Sequence, residues 1–113
     1  MEIEDFKKLQ KEFDDKYIGP YNDLPGDLLF LTTALAGEVG EFANLVKKYY
    51  RLKAKEIAVN GEDQRDYIAD MRKEIIDVYC YFLIIANQLD LDIEEEFKKN
   101  LERNKNRFQK IGD

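Results

Sequence analysis

Residues 31–46 read LTTALAGEVGEFANLV and residues 74–89 read EIIDVYCYFLIIANQL. These are the most apolar stretches of the chain, and two carboxylates interrupt each: Glu38 and Glu41 in the first, Glu74 and Asp77 in the second. Both pairs are spaced i, i+3, which on a helix puts the side chains on one face about one turn apart. At 100° per residue, Glu38 and Glu41 share their face with Leu31, Ala34 and Leu45, and Glu74 and Asp77 share theirs with Val78, Tyr81 and Ile84. Two such helices packed together would aim four oxygen-rich groups at one point. A buried carboxylate without a partner is costly to keep ionised, and the chain has no histidine to pair with it. A hard divalent cation is the natural partner. Mg²⁺ takes carboxylate oxygens together with water and phosphate oxygens, so the pattern points to a phosphate-transforming site.

An acidic i, i+3 pair alone says little, because 24 acidic residues in a 113-residue chain should give roughly five by chance, most of them on solvated faces. Position is what discriminates, since both of these pairs fall where a core-facing stripe belongs. The competing reading is carboxylates bridged to buried lysines or arginines.

Outward from these stretches the periodicity predicts four helices. Ile3, Phe6, Leu9, Phe13 and Tyr17 recur at helical spacing before the Gly and Pro breakers of IGPYNDLPG. The second helix is expected over about 27–51, weakened by Gly37 and Gly40, whose position around Glu38 predicts a close approach of backbone or ligand. LKAKEIAVNGEDQRD is polar, holds Asn60-Gly61 and reads as a connection. The third helix is expected over about 67–89, with 75–86 as the buried centre. Asp92 followed by Glu95 resembles a capping box that starts a fourth helix bearing Ile93, Phe97, Leu101, Phe108 and Ile111. No strand-like alternation or repeat is present. The fold expected is all-α, a four-helix bundle forming one domain over 1–113.

Composition narrows the function. Eighteen basic against 24 acidic residues leave a net charge of −6, which argues against binding polymeric nucleic acid. Cys80 is the single cysteine and reads as a small core residue in a reducing compartment. The N-terminus lacks the apolar core of a signal peptide, and no segment is expected to reach the length of a membrane span. A cytoplasmic protein without a membrane partner is the expectation. No His supports a triad or zinc site, no CxxC is present, and a di-iron bundle would want Glu-x-x-His from two helices.

Further residues carry two readings each. Asn104 falls on the apolar stripe of helix four with Arg107 one turn further, either a structural hydrogen-bond pair or a pair suited to a phosphate or base edge. Lys47, Lys48 and Arg51 end helix two, where they favour the helix dipole or bind substrate phosphate. Tyr81 is either core or a stacking surface for a ligand.

GEVGEFANLVKK, followed some thirty residues later by EIIDVYCYFLIIANQLDLDIEEEFKKNLERNKNRF, resembles the MazG-like all-α nucleoside triphosphate pyrophosphohydrolases. The signature E-x-x-E, spacer, E-x-x-D is filled by Glu38, Glu41, Glu74 and Asp77, which the resemblance implies are Mg²⁺ ligands, with Mn²⁺ as a substitute. The family's helix-four pattern, Lys-x-x-x-Asn-x-x-Arg and an aromatic, appears here as Asn100, Asn104, Arg107 and Phe108. Asn100 stands where a lysine is usual, so phosphate charge must be met elsewhere, with Lys47 and Lys48 the candidates. Lys73 stands where a second acid is common, and against the family's spacer residues 57–64 read as a polar insertion, either a lid or a plain loop. The resemblance implies hydrolysis of a (deoxy)nucleoside triphosphate to the monophosphate and pyrophosphate, Glu41 or Glu38 as the base, and a homodimer or homotetramer. Two alternatives stand beside it: a phosphoribosyl-ATP pyrophosphohydrolase of histidine synthesis, and a non-catalytic helical module with a vestigial metal site.

Overall fold

Helix boundaries follow from the local signals. The computed structural model describes residues 1–54 and 61–112, with side chains described over 1–53 and 66–109. It contains α1 (Ile3–Tyr17), α2 (Leu24–Ala54), α3 (Gly61–Gln88) and α4 (Ile93–Gly112), and no strand among the described residues. At the start of α1 the Glu2 N–H donates to the Asp5 carboxylate at 2.7 Å. The helix ends where the N–H groups of Ile18 and Gly19 both donate to the Asp14 carbonyl, at 2.9 and 2.7 Å. Gly19 has φ +116°, a left-handed value that a side chain disfavours. Pro25 sits in the first turn of α2, where its missing N–H costs nothing. Asp92 caps α4, accepting the Glu95 N–H at 3.1 Å.

α3 is the central element. It packs lengthwise against α2 and, on another face, against α1, while α4 packs chiefly on α1. α2 and α3 run antiparallel: Tyr49 meets Tyr67, with ring centroids 6.0 Å apart, and Glu41 meets Glu74. α1 is held by Phe6, edge-on to Tyr79 at 6.1 Å, and by a polar clasp at the far end of α3. There Asn87 Nδ2 donates to the Lys7 carbonyl at 2.9 Å, Lys7 Nζ to the Leu91 carbonyl, and Gln88 Nε2 to the Tyr21 carbonyl at 3.0 Å.

The all-α expectation of four helices holds, with differences in extent. α2 begins three residues earlier and ends three later than the spacing predicts, and α3 begins at Gly61 rather than near residue 67. Of the 57–64 insertion, 61–64 are the first turn of α3, and the remainder lies outside the described residues. The buried centre is smaller than 75–86: Leu83, Ile84 and Ala86 are buried with Leu31 of α2, whereas Ile75 and Ile76 are exposed. Among the described residues α3 is covered chiefly by α2 and α1, and Ile75 and Ile76 lie outside that cover. A Cβ built at Gly37 or Gly40 meets nothing within 4 Å, so the expected close approach is not made by the chain's own backbone. α2 also corrects the expectation about span length, since over Leu24–Lys53 it is long and apolar enough, by length and composition, to cross a membrane. The same composition serves a helix that packs along α3 and carries two acids at its middle.

Candidate metal and active site

The antiparallel register of α2 and α3 turns two pairs of i, i+3 acids into one cluster. Glu38 and Glu41 of α2 and Glu74 of α3 present carboxylate oxygens that all lie within 4.8 Å of one another. Glu38 Oε2 and Glu74 Oε2 are buried and have no hydrogen-bond partner. Such orphaned acceptors are rare, because a buried oxygen that loses water and gains nothing is destabilising. Burial first, and then the charges of Glu41, Asp77 and Glu74, push the Glu38 carboxyl above the ordinary glutamate range. Glu74 is raised by burial and then by Glu41 and Asp77. No lysine or arginine bridges these acids among the described residues, so the ion-pair alternative finds no support there. Hard oxygens crowded together, two of them unpartnered, fit a divalent cation.

The fourth acid stands slightly apart. Asp77 is outside the tight trio but is close enough for its charge to raise both Glu38 and Glu74. With Glu38 it borders a cavity of about 600 Å³ whose walls are largely aromatic and aliphatic, including Phe13 of α1, Tyr21 of the α1–α2 loop, Phe30, Tyr81 and Ile84. On the other side, Glu41 and Glu74 border a cavity of about 520 Å³ with Asn44, Lys48, Asp70 and Lys73. The four acids are thus divided two and two between an apolar hollow and a charged one.

A profile of the MazG nucleotide pyrophosphohydrolase domain matches residues 26–111, a span that contains all four acids, the whole of α3 and all of α2 except Leu24 and Pro25. The chain belongs to the MazG nucleotide pyrophosphohydrolase family. Among curated proteins this MazG chain is similar to the Gene 37 protein of Mycobacterium phage L5, 38% identical over 76 residues that cover 67% of the chain and 61% of that protein. The chain therefore spans less than two thirds of that relative's length. No solved structure matches it.

Within the MazG domain, the residues singled out from sequence separate into two groups. Glu38, Glu41 and Glu74 come together, Asp77 and Tyr81 line the apolar hollow, and Lys48 lines the charged one. Lys47 borders neither hollow. Among the described residues Asn104 and Arg107 are not brought to the acids within one chain, because α4 packs chiefly on α1 and none of its described residues lines either hollow. Asn104 is half-buried and Arg107 exposed. Asn44, Asp70, Phe13, Tyr21 and Phe30 were missed from sequence. Asn44 and Asp70 had a usable signal, lying three residues after Glu41 and four before Glu74 on the same helix faces. Phe13 and Tyr21 had none, since they reach Tyr81 of α3 only through the packing of α1.

Proposed function

We propose that this MazG domain hydrolyses nucleoside triphosphates, ribo or deoxy, to the monophosphate and pyrophosphate with a divalent cation, Mg²⁺ or Mn²⁺, in nucleotide-pool housecleaning. The observation that carries this reading is the trio of carboxylates within 4.8 Å with two buried oxygens lacking partners, in a chain of a pyrophosphohydrolase family. A cation bound by Glu38, Glu41, Glu74 and Asp77 would neutralise charge that grows on the phosphate oxygens in the transition state.

The protein's own residues do the rest. The apolar hollow beside Glu38 and Asp77 receives the base, with Tyr81, Tyr21 and Phe30 offering aromatic faces. Water attacks the α phosphorus, a P–O bond forms, and the bond from the α phosphorus to the bridging oxygen breaks, so that pyrophosphate leaves with the electron pair. The attacking water gives its proton to a carboxylate of the α2 pair, Glu38 or Glu41. The reaction needs no nucleic-acid or membrane partner, and we assign it to the cytoplasm.

The working form we propose is a homodimer or homotetramer. A radius of gyration of 18.3 Å compares with about 13 Å for a compact chain of this length. Leu29, Phe30, Ile76, Phe97, Leu101 and Phe108 are all more than half exposed, and an isolated soluble chain rarely leaves so much apolar surface open. A panel of common NTPs and dNTPs together with phosphoribosyl-ATP, assayed with Mg²⁺ or Mn²⁺ and followed by ³¹P NMR, tests the reading. Pyrophosphate and monophosphate are the expected products. Turnover of phosphoribosyl-ATP alone would reassign the enzyme to histidine synthesis, and cation binding without any product would leave a non-catalytic module.

A further inference from the structure

The two hollows beside the acid cluster differ in chemistry, and that difference gives a substrate a direction. Glu41, Asn44 and Lys48 follow one another at i, i+3 and i+7 along α2, so they line one face of that helix. Across the antiparallel register, Asp70, Lys73 and Glu74 line the facing side of α3, and the space between them is about 520 Å³. Neither Lys48 nor Lys73 is paired with a carboxylate among the described residues. The hollow on the opposite side, by Glu38 and Asp77, carries aromatic walls.

We propose that the Asn44–Lys48–Lys73 hollow is the subsite for the leaving pyrophosphate, with the two lysines gripping its outer oxygens from opposite helices. This rests on the reading of the site as a triphosphate hydrolase and adds the orientation of the substrate and the residues that set it. A nucleoside triphosphate has a flat, apolar-faced base at one end and a polyanion at the other. With the base in the aromatic hollow and the α phosphorus at the acids, the β and γ phosphates run toward the ammonium groups. A lysine is a compact charge on a flexible stem with three donors, suited to a phosphate tail that must be released after cleavage. Asp70 shares this wall, so the subsite is matched to pyrophosphate carried with its own divalent cation rather than to the bare anion.

Direct binding tests the proposal without turnover. Inorganic pyrophosphate with Mg²⁺ is titrated calorimetrically into the full chain, wild type and the variants Lys48→Ala, Lys73→Ala, the double Ala variant, Lys73→Arg, and Lys98→Ala as a control on α4. Helical content is checked by circular dichroism, and Gln replaces Ala at either lysine if an Ala variant does not fold. Each lysine removed should weaken pyrophosphate binding about tenfold, the loss expected for one charge-assisted contact. Lys73→Arg and Lys98→Ala should bind as wild type, and affinity for a nucleoside monophosphate should not change in any variant. Unchanged pyrophosphate affinity in the folded double variant overturns the proposal, as does an equal loss for the monophosphate. Lack of product from every triphosphate in the panel would instead remove the hydrolase reading, while lysine-dependent pyrophosphate binding would still define the subsite.

Discussion

Glu38 and Glu74 hold the clearest physical tension in the molecule, since each keeps a buried oxygen without a partner beside other acids. Their carboxyls are raised mainly by burial, so the folded chain binds these protons more tightly than the unfolded chain does. In EDTA, stability should therefore be greatest near the ordinary glutamate range and fall as pH rises through the raised folded values. Thermal unfolding against pH, with and without Mg²⁺, checks this, and saturating Mg²⁺ should flatten the fall. A metal-free profile that rises over the same window would contradict it. By the same logic Glu38→Gln and Glu74→Gln should melt higher than wild type in EDTA at neutral pH, because each removes a crowded charge while keeping shape. With Mg²⁺ both variants, and also Glu41→Gln and Asp77→Asn, should lose about a hundredfold or more in turnover. Destabilisation of all four without metal would restore the structural ion-pair explanation.

At the scale of the helices, the α2–α3 contact carries most of what one chain buries. Leu31 is fully buried on α2, and Leu83, Ile84 and Ala86 are buried on α3. Leu31→Ala should cost about 2–5 kcal/mol, the range for a truncated core side chain whose surroundings relax only in part. Urea unfolding at fixed protein concentration measures it, and a loss below half the lower bound would mean that the interface collapses around the gap. α4 depends on a different device. Asp92 accepts the Glu95 N–H at 3.1 Å, so Asp92→Ala should cost about 1 kcal/mol and fray α4 first, which hydrogen exchange of its first-turn amides would register. Equal exchange in both proteins would show that the cap contributes little.

The whole chain is too open to be explained by its own core. Phe97, Leu101 and Phe108 are 58%, 52% and 66% exposed, and they form the apolar stripe of a helix that, among the described residues, packs chiefly on α1. If a second copy covers that stripe, replacing Phe97 and Leu101 by Ser should shift the protein toward the mass of a single chain in light scattering. It should also make the melting temperature less dependent on concentration. A wild-type chain already monomeric at micromolar concentration would defeat this expectation. The same association would decide whether Asn104 and Arg107 meet a nucleotide, since within one chain α4 stays away from both hollows.

Much of this protein is written locally. The 3.6-residue recurrence of apolar side chains predicts four helices, Asp92 marks the start of α4, and i, i+3 spacing puts Glu38 with Glu41 and Glu74 with Asp77 on shared faces. Those are properties of one helix at a time, governed by backbone geometry over a few residues. The tertiary structure decided what faces what. Only the antiparallel register sets Glu41 against Glu74, makes a trio of acids with Asp77 to one side, and brings Lys73 and Lys48 to one hollow, because register depends on side-chain packing between segments thirty residues apart. It also brought α1 to α3 through Phe6 and the Lys7–Asn87 clasp, which sets Phe13 and Tyr21 beside Tyr81 in one hollow, a meeting that no periodicity within one helix announces. And it kept Arg107 from the acids, for a residue's place on its own helix says nothing of which neighbour that helix will choose.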